Sequence, residues 1–232
     1  MNFRKTKINI YLGIFLVILL TGIIGVLCWN PISTRTLHIS NDAPSYRSLE
    51  DMTTDAEYIV TGTYTSFEKK WNMSRNPEDI SQEAANSYVE GRIYNFRVDS
   101  VLKGDISDSE IRVNLRYGDQ VTFDDGSFFV TNPNYIEPEL NQTYLLFLTK
   151  EQSPAFDGYY GTGNPFAIKL ENNGIAKLEV NQAPNTGKII NEGETSEEER
   201  IIIESDNEEP LNDFISGMSG DEVLKNIQNM VK

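Results

Sequence analysis

The sequence predicts a mainly β domain placed behind an N-terminal membrane-spanning helix. Three observations carry this prediction. The chain opens on a basic tip followed by a long uncharged apolar run. Residues 58 to 180 alternate apolar and polar side chains with period two. Helical stripes occur only in short stretches on either side of that region.

The membrane segment comes first. Residues 1–7 (MNFRKTK) are basic, and no charged residue occurs from Ile8 to Thr34. The apolar core, Ile10 to Trp29, has 20 residues. As a helix it spans ~30 Å, the thickness of a bilayer's hydrocarbon core. Residues 8–29 are therefore expected to form a single-pass anchor. Trp29 sits at the interface, Asn30-Pro31 stops the helix, and the basic tip stays in the cytoplasm. The rest of the chain then lies outside the membrane.

Cys28 raises two other fates for this segment. The stretch Gly25-Val26-Leu27-Cys28-Trp29 lacks the small-residue pattern of signal cleavage. It also places Leu27 where lipoprotein processing takes a small residue. An uncleaved anchor requires nothing the segment lacks, and Cys28 reads as an apolar residue at the bilayer edge rather than a lipidation site.

Charge and composition narrow the chemistry. Among 232 residues, 20 are basic and 35 acidic, for a net charge of −15. A surface this negative repels phosphate backbones, which argues against nucleic acid as a partner and favours basic protein surfaces or cations. One cysteine cannot form an internal disulfide or a thiolate zinc site. The single histidine, His38, precludes a His-cluster metal site. No metal and no cofactor is expected.

Residues 30–44 are polar with two prolines and read as a stalk. The domain proper is expected over 45–180. It starts with a short helix in SLEDMTTDAE, where Ser48 and Asp51 form a capping box. Strands follow at YIVTGTYTSF (58–67), RIYNFRVDSVLKGD (92–105) and EIRVNLRYGD (110–119). In the third, Ile111, Val113, Leu115 and Tyr117 share one face. SFFVT (127–131) comes next, then TYLLFLT (143–149), whose continuous apolar run suits burial on both faces. PFAIKL and GIAKLEV flank ENNG (171–174), a hairpin turn. About seven strands at this spacing point to an antiparallel barrel or sandwich. The polar insert 68–88 reads as a long loop with a helical turn near Glu78 to Ala85.

Residues 181–210 hold nine acids against Lys188 and Arg200 and read as a flexible acidic segment, in which IIIE could pair as an edge strand. Residues 211–232 are helical, with a second capping box at Ser219 to Glu222 and a stripe of Val223, Leu224, Ile227 and Val231.

Catalytic signals are sparse. Without a histidine in the domain, Ser-His or Cys-His activation is missing. GDISDSE and FDDGSF lack the spacing of a calcium loop and read as turns. DGYYGTGNPF (157–166) lacks the lysine and following helix of a phosphate loop. Its Tyr159, Tyr160 and Asn164 are the candidate ligand-binding residues, offered as an aromatic contact surface.

The runs AEYIVTGTYTS, YNFRVDSVLKGD, EIRVNLRYG, LNQTYLLFL and GYYGTGNPFAIKLENNG resemble uncharacterised membrane-anchored or secreted proteins of Gram-positive bacteria. Their strand order is similar to the netrin-like, metalloproteinase-inhibitor type of OB barrel. The most specific piece is Phe96 to Asp105, a pattern of core positions and a turn. The resemblance implies an extracytoplasmic OB-like antiparallel β-barrel with short flanking helices. Inhibitors of that type grip zinc with a free N-terminal cysteine, which this chain lacks, so their inhibitory residues are not carried over.

The expectation is thus a non-catalytic binding or interaction module of the cell envelope, anchored through residues 8–29, with an envelope or surface protein as partner. A carboxylate-based envelope hydrolase and a calcium-responsive surface module remain as alternatives.

Overall fold

The computed structural model describes residues 34–39, 44–123, 126–150, 155–180, 189–190, 200–205 and 213–232. The expected cytoplasmic tip (1–7), membrane anchor (8–29), Cys28, the start of the stalk and most of the acidic segment lie outside these residues. Among them, no helix is long and apolar enough to cross a membrane.

The strands in chain order are β1 (Thr34–Ile39), β2 (Tyr58–Asn72), β3 (Arg75–Asn76), β4 (Asp79–Glu83), β5 (Val89–Lys103), β6 (Glu110–Phe123), β7 (Gly126–Thr131), β8 (Thr143–Thr149), β9 (Tyr159–Gly161), β10 (Ala167–Leu170), β11 (Ala176–Leu178), β12 (Ile189–Ile190) and β13 (Arg200–Ser205). Two helices accompany them, α1 (Leu49–Asp55) and α2 (Gly220–Met230). Contacts divide the chain into Met1–Arg35 with Thr195–Ile202, and Thr36–Glu194 with Ile203–Lys232. In the two-stranded sheet of β1 and β13, β13 is the strand expected at IIIE. All that follows concerns the larger unit.

Five strands of the main sheet close on themselves. β2 pairs antiparallel with β5 and with β8, β5 with β6, and β9 joins β6 in parallel and β8 antiparallel. The result is a sheet ring in the order β2, β5, β6, β9, β8. The second edge of β8 is shared. Its residues 148–149 meet β9, whereas residues 143–146 meet β10. β9 has only three residues and reaches β6 only at Val113 and Asn114. Beyond that point β6 and β10 have no strand between them, and the ring is open.

Period-two alternation explains two separate cores. On β8, Tyr144, Leu146 and Leu148 point into the ring with Val60, Tyr64, Tyr94, Phe96, Val113 and Tyr159. Leu145 and Phe147 point outward, where α1 and α2 cover them with Met52, Val223 and Ile227. Both faces of β8 are buried, as its apolar run predicts. Gly62 marks a register shift between β2 and β5, and a Cβ there would overlap the Arg97 carbonyl.

The helices sit where their caps place them. Ser48 Oγ accepts from the Asp51 N–H at 3.0 Å, and Ser219 Oγ accepts from Glu222 at 3.2 Å. The Lys103 ammonium donates to the last-turn carbonyls of Thr53 (2.8 Å) and Thr54 (3.1 Å) of α1. The C-terminal segment is laced to the β10–β11 hairpin, with Ala176 N–H to the Met218 carbonyl at 2.9 Å and Gly220 N–H to the Gly174 carbonyl at 2.8 Å. Gly174 closes the expected hairpin turn at φ +82°.

The expected loop over 68–88 is instead largely strand. β2 continues to Asn72, and β3 and β4 form their own hairpin. No helical turn occurs at Glu78 to Ala85. Asn76-Pro77-Glu78-Asp79 makes a tight turn, in which the Asn76 side chain accepts from the Glu78 N–H at 3.0 Å. Asn72, at the end of β2, is buried and uses its side chain to hold Ser74, Ser87 and Val89.

Candidate functional site

A cavity of about 190 Å³ occupies the opening of the ring. Its floor belongs to the strands: Tyr64 of β2, Asn114, Leu115 and Arg116 of β6, Tyr144 of β8 and Ala167 of β10. The link from β7 to β8 supplies Asn132, Asn134 and Tyr135. β9 supplies Tyr160 and Gly161, and the link from β9 to β10 supplies Gly163, Asn164 and Phe166. Glu179, just after β11, completes the wall. The cavity exists because β9 is short. A longer β9 would fill the gap between β6 and β10.

Most polar groups on this wall are already engaged. Asn114 Oδ1 accepts from Trp71 Nε1 at 2.7 Å. Asn132 Oδ1 accepts from the Asn134 N–H at 2.9 Å. The Tyr144 hydroxyl accepts from the Glu139 N–H at 2.9 Å. The Tyr135 and Tyr94 hydroxyls share a hydrogen bond at 3.0 Å, and Arg92 donates to Tyr135 at 3.3 Å. Arg92 is itself stacked 3.3 Å from the centre of the Tyr117 ring and donates to Glu90 at 3.0 Å. This chain of contacts holds Tyr135 against the cavity. Arg116 is held by both carboxylate oxygens of Asp119 at 2.9 Å.

Two groups differ. The Tyr64 side chain is 2% exposed, and its hydroxyl has no hydrogen-bond partner among the described residues. Burial pushes this phenol well above its ordinary range, and the neighbouring Tyr144, Tyr94, Tyr135 and Glu179 push the same way. The Glu179 carboxylate also has no hydrogen-bond partner among the described residues. Burial raises its pKa, and Lys169 and Lys177 offset part of the rise. A half-buried acid and a phenol without hydrogen-bond partners at one cavity are available to a ligand that matches them.

The sequence-derived candidates divide. Tyr160 and Asn164 line the cavity. Tyr159 does not form an exposed aromatic surface. It is 8% exposed, because alternation on β9 turns it inward against Tyr58, with ring centres 5.2 Å apart. Tyr64, Tyr144 and Glu179 escaped the sequence reading. Tyr64 and Tyr144 lie on core-patterned strands, and nothing in their spacing distinguishes a core tyrosine from one at a cavity. Among the described residues no three His, Cys, Asp or Glu side chains converge to hold a metal ion. No protein-family model and no curated protein sequence matches the chain.

Proposed function

We propose that the chain is a non-catalytic binding module of a bacterial cell envelope, held at the membrane by residues 8–29, with its binding site in the cavity at the ring opening. The observation that carries the reading is the pair of unpartnered polar groups, Tyr64 and Glu179, at a cavity walled by tyrosines and amides. Binding pockets combine an apolar wall with a few convergent polar groups in this way. The five-stranded ring supports reading the fold as an OB-like barrel of the netrin type, in which ligands are taken at the strands and loops. The acidic chain and its uncharged leading segment support a domain working outside the cytoplasm.

The test is cross-linking on intact cells of the C-terminally tagged chain beside its Asn164→Trp variant, which fills the cavity mouth. The expected result is an envelope species captured by the native chain and lost in the variant. The same sample should yield an unmodified N-terminal peptide running through Cys28. Equal capture by both chains overturns the assignment of the cavity, and a lipid on Cys28 overturns the anchor.

A further inference from the structure

The two unmatched groups define the ligand's chemistry, on the reading that the cavity is the binding site. We propose that the cavity takes an alkylammonium group, with the charged head on the Glu179 carboxylate and the Tyr64 hydroxyl oxygen and the apolar stem along the tyrosine wall. An ammonium carries three N–H donors and no acceptor, so it can satisfy both oxygens at once.

Other ligand classes fit less well. Among the described residues the one cation on the wall, Arg116, is held by Asp119, so an anion finds no uncommitted cation among them. A hard metal ion needs six to eight oxygens, and among the described residues Glu179 is the one carboxylate lining the cavity. A neutral ligand leaves the half-buried carboxylate with Lys169 and Lys177 as its nearby countercharges and with no hydrogen-bonded cation. At about 190 Å³ the cavity is below the ~300–1,000 Å³ of drug-sized sites, which limits the occupant to roughly the size of a lysine side chain. That chemistry has two sources, a free small amine and a lysine on a partner protein.

The experiment is calorimetric titration of the full chain in lipid nanodiscs with n-butylammonium, with 1-butanol as the uncharged probe of matching shape. Butylammonium should bind at least about ten-fold more tightly than butanol. Glu179→Gln should remove that preference without disturbing the circular dichroism spectrum. Tyr64→Phe, which deletes one oxygen and keeps the ring, should weaken butylammonium several-fold. A short acetylated and amidated Gly-Lys-Gly peptide separates the sources. Binding at least as tight as that of butylammonium identifies a protein lysine, and exclusion of the peptide identifies a free amine. Equal affinity for both probes, or affinity unchanged in Glu179→Gln, overturns the proposal. If neither probe binds while Asn164→Trp still abolishes capture on cells, the ammonium chemistry falls and the binding site stands. If capture is also unaffected, both fall.

Discussion

The Lys169 ammonium donates to Oε1 of Glu139 at 2.9 Å. Lys169 is buried and is the strongest charge opposing the rise in the Glu179 pKa, yet its hydrogen bond goes to Glu139 and not to Glu179. Glu139 therefore keeps the cavity carboxylate available. In Glu139→Gln the ammonium loses its charged partner and turns toward Glu179. Butylammonium affinity should fall several-fold by calorimetry, although Glu139 itself does not line the cavity. Unchanged affinity would show that Lys169 has no influence on the site.

Acidity should act on binding and on stability in opposite directions. Burial holds Glu179 above the ordinary carboxylate range of ~4.3. Lys169 on β10 and Lys177 on β11 pull its pKa down, while Glu139 and Glu171 push it up. Cation binding needs the ionised form, so affinity should decline as pH falls through the raised pKa. The empty fold behaves the other way. Its Glu179 binds a proton more readily than the unfolded chain does, so this contribution is present below ~4.3 and is lost as pH rises through the folded value. Glu179→Gln should therefore melt at a higher temperature than the native chain at neutral pH, while binding less. A lower melting temperature would mean that the carboxylate stabilises the empty fold.

The C-terminal helix is part of the core and not a free arm. Val223 and Ile227 are fully buried against the outer face of β8, with Met52 of α1 alongside. Ile227→Ala should cost ~2–5 kcal/mol in urea unfolding through the transfer and cavity terms. Loss of cooperativity in α2 alone, with the sheet unaffected, would show that the helix docks only weakly.

Away from the helices, Glu90 anchors the arm that presents Tyr135. The residue is 6% exposed, and its carboxylate takes Arg92 at 3.0 Å and Lys70 at 3.2 Å. Glu90→Ala leaves the stacked Arg92 guanidinium with only the exposed Glu137 carboxylate, at 3.8 Å, and should destabilise the fold by ~3 kcal/mol. The same variant should weaken butylammonium binding by loosening the Tyr94–Tyr135 pair, as read by chemical denaturation and calorimetry on one sample.

The sheet was legible where burial is one-sided or complete. TYLLFLT matches β8 to the residue, because a run buried on both faces has no polar position to blur its ends. The capping boxes at Ser48 and Ser219 located both helices for the same local reason. β2 outran its expected end because Glu68, Lys69 and Lys70 are exposed and are held by pairing to β5 rather than by an apolar face. A small part of the candidate site was visible in GYYGTGNPF, through Tyr160 and Asn164. The rest depends on where β9 stops, and a three-residue strand held by two non-local partners leaves almost no local pattern. Glu179 illustrates this. Its neighbours Lys177 and Leu178 mark it as an ordinary alternating position, and only the ring's geometry sets it beside Tyr64.

The central claim is that this chain meets its ligand at the ring opening. The most direct measurement places a photo-cross-linking residue at position 164, at the cavity, and separately at the exposed position 228 on α2, in the full chain on intact cells. The account expects an adduct from position 164 and none from position 228. Adducts from position 228 alone, or equally from both, would contradict it.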